Sequence, residues 1–186
     1  MKRAPGIERL RDLDRRATAR LRTLSSRASA RAALSLVSHS ADSVVLLPAF
    51  ALLWWAGRFS RQSIAVPLIV GYLVSVLATA LVKYTVRRRR PEGEWGALYR
   101  RMDPHSFPSG HASRTVTLSV IVLVHGEIAA GILLVAWSLA VGLTRVALGV
   151  HFLLDVLAGY LLGLAVGFGL WPWIVRGMPG LPQFPW

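Results

Sequence analysis

Long apolar runs, separated by short polar breaks, make up most of the chain after residue 31. The clearest extends from Ile64 to Val82 without a charged residue, and two others extend from Ile128 to Leu143 and from Phe152 to Val175. The hydrocarbon core of a bilayer is about 30 Å thick and needs about 20 apolar residues per helix. Each of these runs therefore predicts a membrane-spanning helix.

Two further runs are less regular. One extends from Ser109 to His125, and the other, from Ser43 to Gly57, is short and contains Pro48. Extended back to Ala32, the second run is long enough to span a bilayer but takes in four polar residues: Ser38, His39, Ser40 and Asp42. With both included, the pattern predicts an all-α integral membrane helix bundle of about five transmembrane helices.

The N-terminal segment, residues 1–31, has a different pattern. It holds ten basic and three acidic residues, and its apolar side chains recur at three- and four-residue steps: Ile7, Leu10, Ala17, Leu21, Leu24 and Ala28. This spacing predicts a basic amphipathic helix on anionic lipid headgroups, with a partly disordered basic tail as the alternative. The predicted division is an interfacial segment (1–31), a transmembrane domain (32–175) and a short C-terminal tail (176–186).

Composition narrows the class of protein. The 186 residues are 54% hydrophobic, with a mean hydropathy of +0.49 and a formal net charge of +13. Such a chain is too apolar for an ordinary soluble domain. We expect its positively charged residues to bind anionic lipid headgroups, and we expect no binding to nucleic acid. The sequence contains no cysteine, which excludes disulfides and thiolate metal ligands.

Counting helices from the N-terminus places three polar segments on one side of the membrane. The second helix ends at Lys83, the third begins near Ser109, and the fourth ends at Arg145 before His151 opens the fifth. The ten N-terminal cations lie on this same side, and the opposite side carries three: Arg58, Arg61 and Arg176. The positive-inside rule then predicts that the segments face the cytoplasm. We expect the membrane to be a bacterial or archaeal cell membrane.

His151 and Asp155 stand four residues apart at the start of the fifth helix and therefore share one face. A carboxylate one turn from an imidazole accepts a hydrogen bond from one ring nitrogen and leaves the other nitrogen free to attack. Ionisable side chains within spanning helices are costly and are commonly functional. The structural alternative is a His–Asp pair whose members satisfy each other inside the bundle.

The tetrapeptide Pro108-Ser109-Gly110-His111 opens the third helix. Serine is a good N-cap, glycine allows backbone to approach an anion closely, and free N–H groups at a helix start favour phosphate. His111 lies in the first turn, where a protonated imidazole can donate to a leaving oxygen. Alone, the tetrapeptide is equally compatible with an ordinary turn and cap.

Three cations accompany these groups. Arg90 and Arg145 offer forked guanidinium donors and Lys83 a point charge, and preplaced cations stabilise the charge that develops on a transferring phosphoryl group. The structural alternative for Lys83 and Arg90 is snorkelling at a helix end. The neighbouring Arg87, Arg88 and Arg89 are predicted to contact lipid headgroups.

The three segments together are much more specific than each alone. A lysine followed after six residues by Arg-Pro, then Pro-Ser-Gly-His, then Arg-x5-His-x3-Asp resembles the type 2 phosphatidic acid phosphatase (PAP2) superfamily over about residues 64–170. The matching residues are Lys83, Arg90, Pro91, Pro108, Ser109, Gly110, His111, Arg145, His151 and Asp155. The chain departs from the family in having Thr144 where serine is usual, and in having five predicted spanning helices where many relatives have six.

The resemblance implies a phosphatase that needs no metal and no cofactor, with 32–175 as its catalytic domain. It implies that His151 is the nucleophile that forms a phosphohistidine, that Asp155 orients it, and that His111 protonates the leaving group and then activates water. It also implies that the remaining motif residues bind phosphoryl oxygens: Lys83, Arg90, Ser109, Gly110 and Arg145, with Thr144 as a further candidate.

The substrate is inferred from the surroundings. A site at the membrane surface favours a lipid phosphate, and residues 103–107 resemble the polyisoprenoid and presqualene diphosphate phosphatase branch. We therefore predict a prenyl or polyprenyl (di)phosphate, with four side chains of the preceding loop available to cover its headgroup: Trp95, Tyr99, Arg100 and Arg101. The alternative substrates are a decaprenyl-phosphoryl-sugar phosphate, phosphatidic acid and phosphatidylglycerophosphate. The alternative functions are a lipid-to-lipid phosphotransferase and a non-catalytic lipid-binding protein. No oligomeric state is predicted.

Other residues are given structural roles. Glycines repeat every four residues at 159, 163 and 167, which predicts a seam for close helix packing, with a dimer contact as the alternative. His39 and Asp42 are predicted to be solvated at a helix start. The alternative is that they lie near the site and support it, since they enter the membrane on its side. Arg114, one turn from His111, is within reach of the headgroup but is not included in the predicted site.

Overall fold

A computed structural model describes residues 5–57, 64–92 and 103–176, and these ranges are almost entirely helical. The elements are α1 (Pro5–Arg22), a 3-10 turn (Thr23–Ser25), α2 (Ala28–His39), α3 (Ser43–Gly57), α4 (Ala65–Val86), α5 (Gly110–Val124), α6 (Ile128–Ala147) and α7 (Leu153–Val175). Within these ranges the β-type pairing is one isolated bridge between Arg89 and His105. The predicted all-α class is confirmed.

The number of membrane spans agrees loosely with the predicted five. By length and composition, α4, α6 and α7 are each able to cross a bilayer. Helices α2 and α3 meet at a 45° bend and together qualify as a fourth span, whereas α5 is apolar but has only 15 residues. The bend falls at residues 40–42, the polar break that made the first run irregular.

Helix α5 is central and packs against α4, α6 and α7. The glycine seam on α7 faces it: a Cβ on Gly159 would lie 2.5 Å from the carbonyl oxygen of Ser109, and one on Gly167 would lie 2.7 Å from Cβ of Val120. The predicted seam is therefore an internal packing contact. It brings the start of α5, with Ser109, directly against the first turns of α7.

Large apolar side chains cover the outer faces of the bundle. Leu77 is 62% exposed on α4 and Leu161 is 69% exposed on α7, whereas Ile121 on α5 is fully buried. Exposed leucines on long apolar helices are typical of surfaces that contact lipid. Arg58 and Arg61, which entered the prediction of sidedness, and the tail beyond Arg176 lie outside the described residues.

Candidate active site

Beyond the end of α4, two of the four consecutive arginines, Arg88 and Arg90, face the interior and the other two are exposed. Arg87 adopts a left-handed conformation with φ of 49°, and its N–H bonds to the carbonyl of Lys83, which ends the helix. Three residues beyond this cap, Arg90 is 8% exposed. Lys83, on the last turn of α4, is equally buried.

Lys83 and Arg90 converge on the carboxylate of Asp103. Lys83 Nζ lies 2.6 Å from Asp103 Oδ1, and Arg90 Nη2 lies 2.7 Å from Oδ2. Burial works to raise the pKa of Asp103, but the charges of Lys83 and Arg90 hold it below its ordinary value. Two buried cations therefore bind the two oxygens of one internal carboxylate, which is the arrangement that an oxyanion requires.

His151 lies beside these cations and is 1% exposed. Arg90 Nη1 lies 3.2 Å from its Nε2, and because a guanidinium only donates, Nε2 carries the lone pair. The proton is then on Nδ1, which is 3.7 Å from Asp155 Oδ2. Burial, together with the charges of Arg90, Arg145 and Lys83, lowers the pKa of His151 well below its ordinary value, which keeps the ring neutral and nucleophilic.

Asp155 is held at the start of α7 by two donors. The N–H of Phe152 donates to Oδ2 at 2.9 Å, and Arg88 Nη1 donates to Oδ1 at 2.7 Å. The prediction that Arg88 contacts lipid headgroups is wrong, because its guanidinium also stacks 4.2 Å above the ring of Phe152 and bonds to Asp14. The run of four arginines gave no signal that Arg88, in addition to Arg90, turns inward.

Ser109 occupies the N-cap position of α5, but its side chain makes no capping bond. Its N–H donates to the carbonyl of Asp155 at 2.8 Å, and its buried hydroxyl has no hydrogen-bond partner within the described ranges. Gly110 follows as the first helical residue. The serine predicted as a cap therefore presents an unpaired polar group, which a ligand oxygen can satisfy.

His111 uses both ring nitrogens. Arg114 Nη2 donates to Nδ1 at 2.9 Å, so the proton lies on Nε2, which is 2.6 Å from Asp42 Oδ1. Asp42 also accepts from His39 Nδ1 at 2.7 Å. The prediction that Asp42 is a solvated residue is therefore wrong, and Arg114 belongs with the site. The polar residues between α2 and α3 could have indicated this contact, but they were interpreted as the start of a helix.

The charge of Arg145 acts on the rings of both His111 and His151. Arg145 is 3% exposed and donates from Nη1 to Ser38 Oγ at 2.8 Å. Thr144 is also buried, but its hydroxyl donates within α6 to the carbonyl of Val141 at 2.7 Å. The hydroxyl of Thr144 therefore already has a hydrogen-bond acceptor, whereas the hydroxyl of Ser109 has no hydrogen-bond partner in the described residues.

A cavity of about 210 Å³ opens beside the ion pair of Lys83 and Asp103. It is bordered by Lys83, Asp103, Gly110 and Arg114, and by an apolar wall of α4 that includes Val76 and Ala80. Trp95, Tyr99, Arg100 and Arg101, predicted to cover a headgroup, lie outside the described residues. The described part of the site thus joins a cationic pocket to an apolar helix surface.

Comparison with known proteins gives concordant matches. The model of the PAP2 superfamily matches residues 64–179. The chain is 31% identical over 128 residues, 67% of its length, to an undecaprenyl-diphosphatase of Sulfolobus acidocaldarius, and spans 61% of that relative. It is 34% identical over 131 residues to a decaprenylphosphoryl-5-phosphoribose phosphatase of Mycolicibacterium smegmatis, covering 70% of this chain and 69% of the relative.

The fold has a solved counterpart. A transmembrane PAP2-type phosphatidylglycerolphosphate phosphatase from Bacillus subtilis superposes with a TM-score of 0.77, covering 93% of this chain and 89% of the other at 21% identity. That superposition includes residues well before the region matched by the family model, so the shared fold extends beyond it.

Proposed function

Because the chain belongs to the PAP2 superfamily, we propose that it is a membrane phosphatase that hydrolyses the phosphate or diphosphate group of a lipid. The observation that carries the proposal is the carboxylate of Asp103 held by Lys83 and Arg90 beside His151. The phosphate of the substrate takes the place of this carboxylate. Ser109, Gly110 and Arg145 supply further donors around it.

The reaction proceeds in two steps. In the first, the Nε2 lone pair of His151 attacks phosphorus and the bond from phosphorus to the leaving oxygen breaks. His111, in its protonated imidazolium form, gives a proton to that oxygen and becomes a neutral imidazole. Asp155 stabilises the positive charge on the phosphorylated ring. In the second, water attacks phosphorus as His111 takes a proton from it, the P–N bond breaks, and inorganic phosphate leaves. The cations carry the charge stabilisation that a metal would otherwise supply.

The favoured substrate is a prenyl or polyprenyl phosphate or diphosphate. Two relatives carry names that refer to undecaprenyl and decaprenyl lipids, and the cavity joins cations to the apolar side of α4. Phosphatidic acid and phosphatidylglycerophosphate are the alternatives, the second supported by the name of the structural neighbour. Transfer of the phosphoryl group to a second lipid uses the same residues and differs only in the acceptor.

A phosphate-release panel in detergent tests this function. We expect release from farnesyl, geranylgeranyl or undecaprenyl diphosphate, unchanged by EDTA and blocked by vanadate, which mimics the pentacoordinate phosphorus. Activity abolished by EDTA and restored by magnesium would contradict the metal-independent mechanism. A phosphorylated lipid product in place of free phosphate would identify the phosphotransferase.

The site is proposed to face the cytoplasm. Helix α1, with most of the ten N-terminal cations, packs against the same ends of α6 and α7 that carry the site. Since the chain has no cysteine, single cysteines report sidedness directly. In intact cells, an impermeant maleimide should label Arg176→Cys but reach Ser26→Cys only after permeabilisation. The reverse pattern would place the site outside.

Asp103 competes with the substrate for Lys83 and Arg90. Asp103→Asn removes that internal anion, so the Michaelis constant and the inhibition constant for vanadate should fall by up to about fivefold, since a partly exposed ion pair contributes about 1 kcal/mol or less. Glu92→Gln, an exposed carboxylate on the same connection, is the control. Weaker vanadate inhibition in Asp103→Asn would show that this carboxylate supports binding of the anion.

A further inference from the structure

Helix α1 presents a buried polar edge to the bundle. Asp14 and Thr18, one turn apart, are 4% and 3% exposed, while Leu10 and Leu13 on the same helix are about half exposed. On an amphipathic helix, a carboxylate buried in preference to leucines indicates that the polar groups have specific partners. Both residues lie outside the region matched by the family model, which begins at residue 64.

The first partners are backbone amides at the start of α7. The N–H of Leu153 donates to Thr18 Oγ1 at 3.1 Å, and the N–H of Leu154 donates to Asp14 Oδ1 at 2.9 Å. The first amides of a helix have no acceptors within that helix. Helix α1 therefore supplies the acceptors from outside and fixes the turn that carries Asp155.

The second partner is Arg88, which joins two carboxylates. Its Nη2 lies 2.7 Å from Asp14 Oδ2 and its Nη1 lies 2.7 Å from Asp155 Oδ1, and neither carboxylate has exposed side-chain surface. A planar guanidinium shared in this way holds both groups in one geometry. Asp14 neutralises part of the positive charge of Arg88. The other oxygen of Asp155, Oδ2, therefore keeps the negative charge that interacts with Nδ1 of His151.

We propose that Asp14 is a positioning residue of the phosphatase, which acts through Arg88 and the first turn of α7 to hold Asp155 against the nucleophile His151. The proposal rests on the function proposed above. Asp14 acts through Asp155, and the partners of its carboxylate seen in the described residues are Arg88 and the N–H of Leu154. Loss of its charge therefore slows formation of the phosphohistidine and leaves binding of the anion unchanged.

The test compares the full-length wild type with Asp14→Asn and with Asp12→Asn, an exposed carboxylate on the same helix. Asparagine keeps an acceptor for the N–H of Leu154 but removes the charge facing Arg88. In Asp14→Asn, kcat should fall by about tenfold or more, by analogy with the loss of a supporting partner of a metal-binding histidine, and KM should be unchanged. Asp12→Asn should match wild type. A loss confined to thermal stability, with kcat preserved, would overturn the proposal.

A spectroscopic measurement tests the role of Asp14 independently of the proposed phosphatase function. The ring nitrogen-15 shifts of His151 report its tautomer without turnover. Wild type and Asp12→Asn should show the proton on Nδ1, and Asp14→Asn should show an increased share on Nε2. A wild type that releases no phosphate would contradict the proposed function, whereas an unchanged tautomer in Asp14→Asn would overturn the role of Asp14.

Discussion

His151→Ala is expected to abolish phosphate release, with kcat reduced by at least about 10⁴-fold, because the substitution removes the ring nitrogen, Nε2, that lies beside Arg90 and is proposed to attack phosphorus. The loss of a nucleophile is among the largest single effects known in enzymes that act through covalent intermediates. Phosphate release in detergent, from the best lipid of the panel, is the measurement.

The matched control for this variant is His125→Ala. His125 lies at the C-terminal end of α5, and Ser109 lies at its N-terminal end. His125 is therefore at the end of the bundle away from the site, and its loss should leave the rate unchanged. Size-exclusion profiles and melting temperatures of both variants show whether they remain folded. A folded His151→Ala protein that turns over at the wild-type rate would remove the assigned nucleophile.

His111→Ala is expected to separate the two steps of the reaction. With an aryl phosphate whose phenol is acidic, the leaving group needs no proton, so the phosphohistidine should form at close to the wild-type rate. Its hydrolysis should slow by about 10²–10⁴-fold, the usual contribution of a general base. With an alkyl or prenyl phosphate, both steps should slow.

Rapid mixing with a chromogenic aryl phosphate measures this difference. A burst of one phenol per site, followed by slow turnover, is the expected result for His111→Ala. Loss of the burst, with slow phenol release from the first turnover, would mean that His111 acts in binding or in attack and not on the leaving group and water.

The apolar helices were predictable because lipid imposes a simple requirement on sequence. A charge-free run long enough to cross the hydrocarbon core has few alternatives to a helix, and Ile64–Val82 appears as most of α4. The first span was less regular for a physical reason. Ser38 and Asp42, which interrupt it, are bonded to Arg145 and His111, so the polar residues that weakened the pattern are those that connect this span to the site.

The convergence of the motif residues was also predictable, since each stands at a helix end on the same side of the bundle. Their supporting partners were not. Whether Arg88 or Arg90 faces His151 depends on the left-handed backbone at Arg87, and such a conformation of a non-glycine residue has no clear sequence signal. Asp14 was hidden for a different reason: the periodic leucines predicted an amphipathic helix on lipid, whereas the contacts that orient α1 in the bundle are polar.

The most direct test of the account is to trap the covalent intermediate. We expect His111→Ala, mixed with an acidic aryl phosphate and quenched at alkaline pH, to carry one phosphoryl group on Nε2 of His151 when digested and analysed by mass spectrometry, and His151→Ala to carry none. Phosphate found on another residue, or steady release of phosphate from a folded protein without any phosphorylated histidine, would contradict the proposed chemistry.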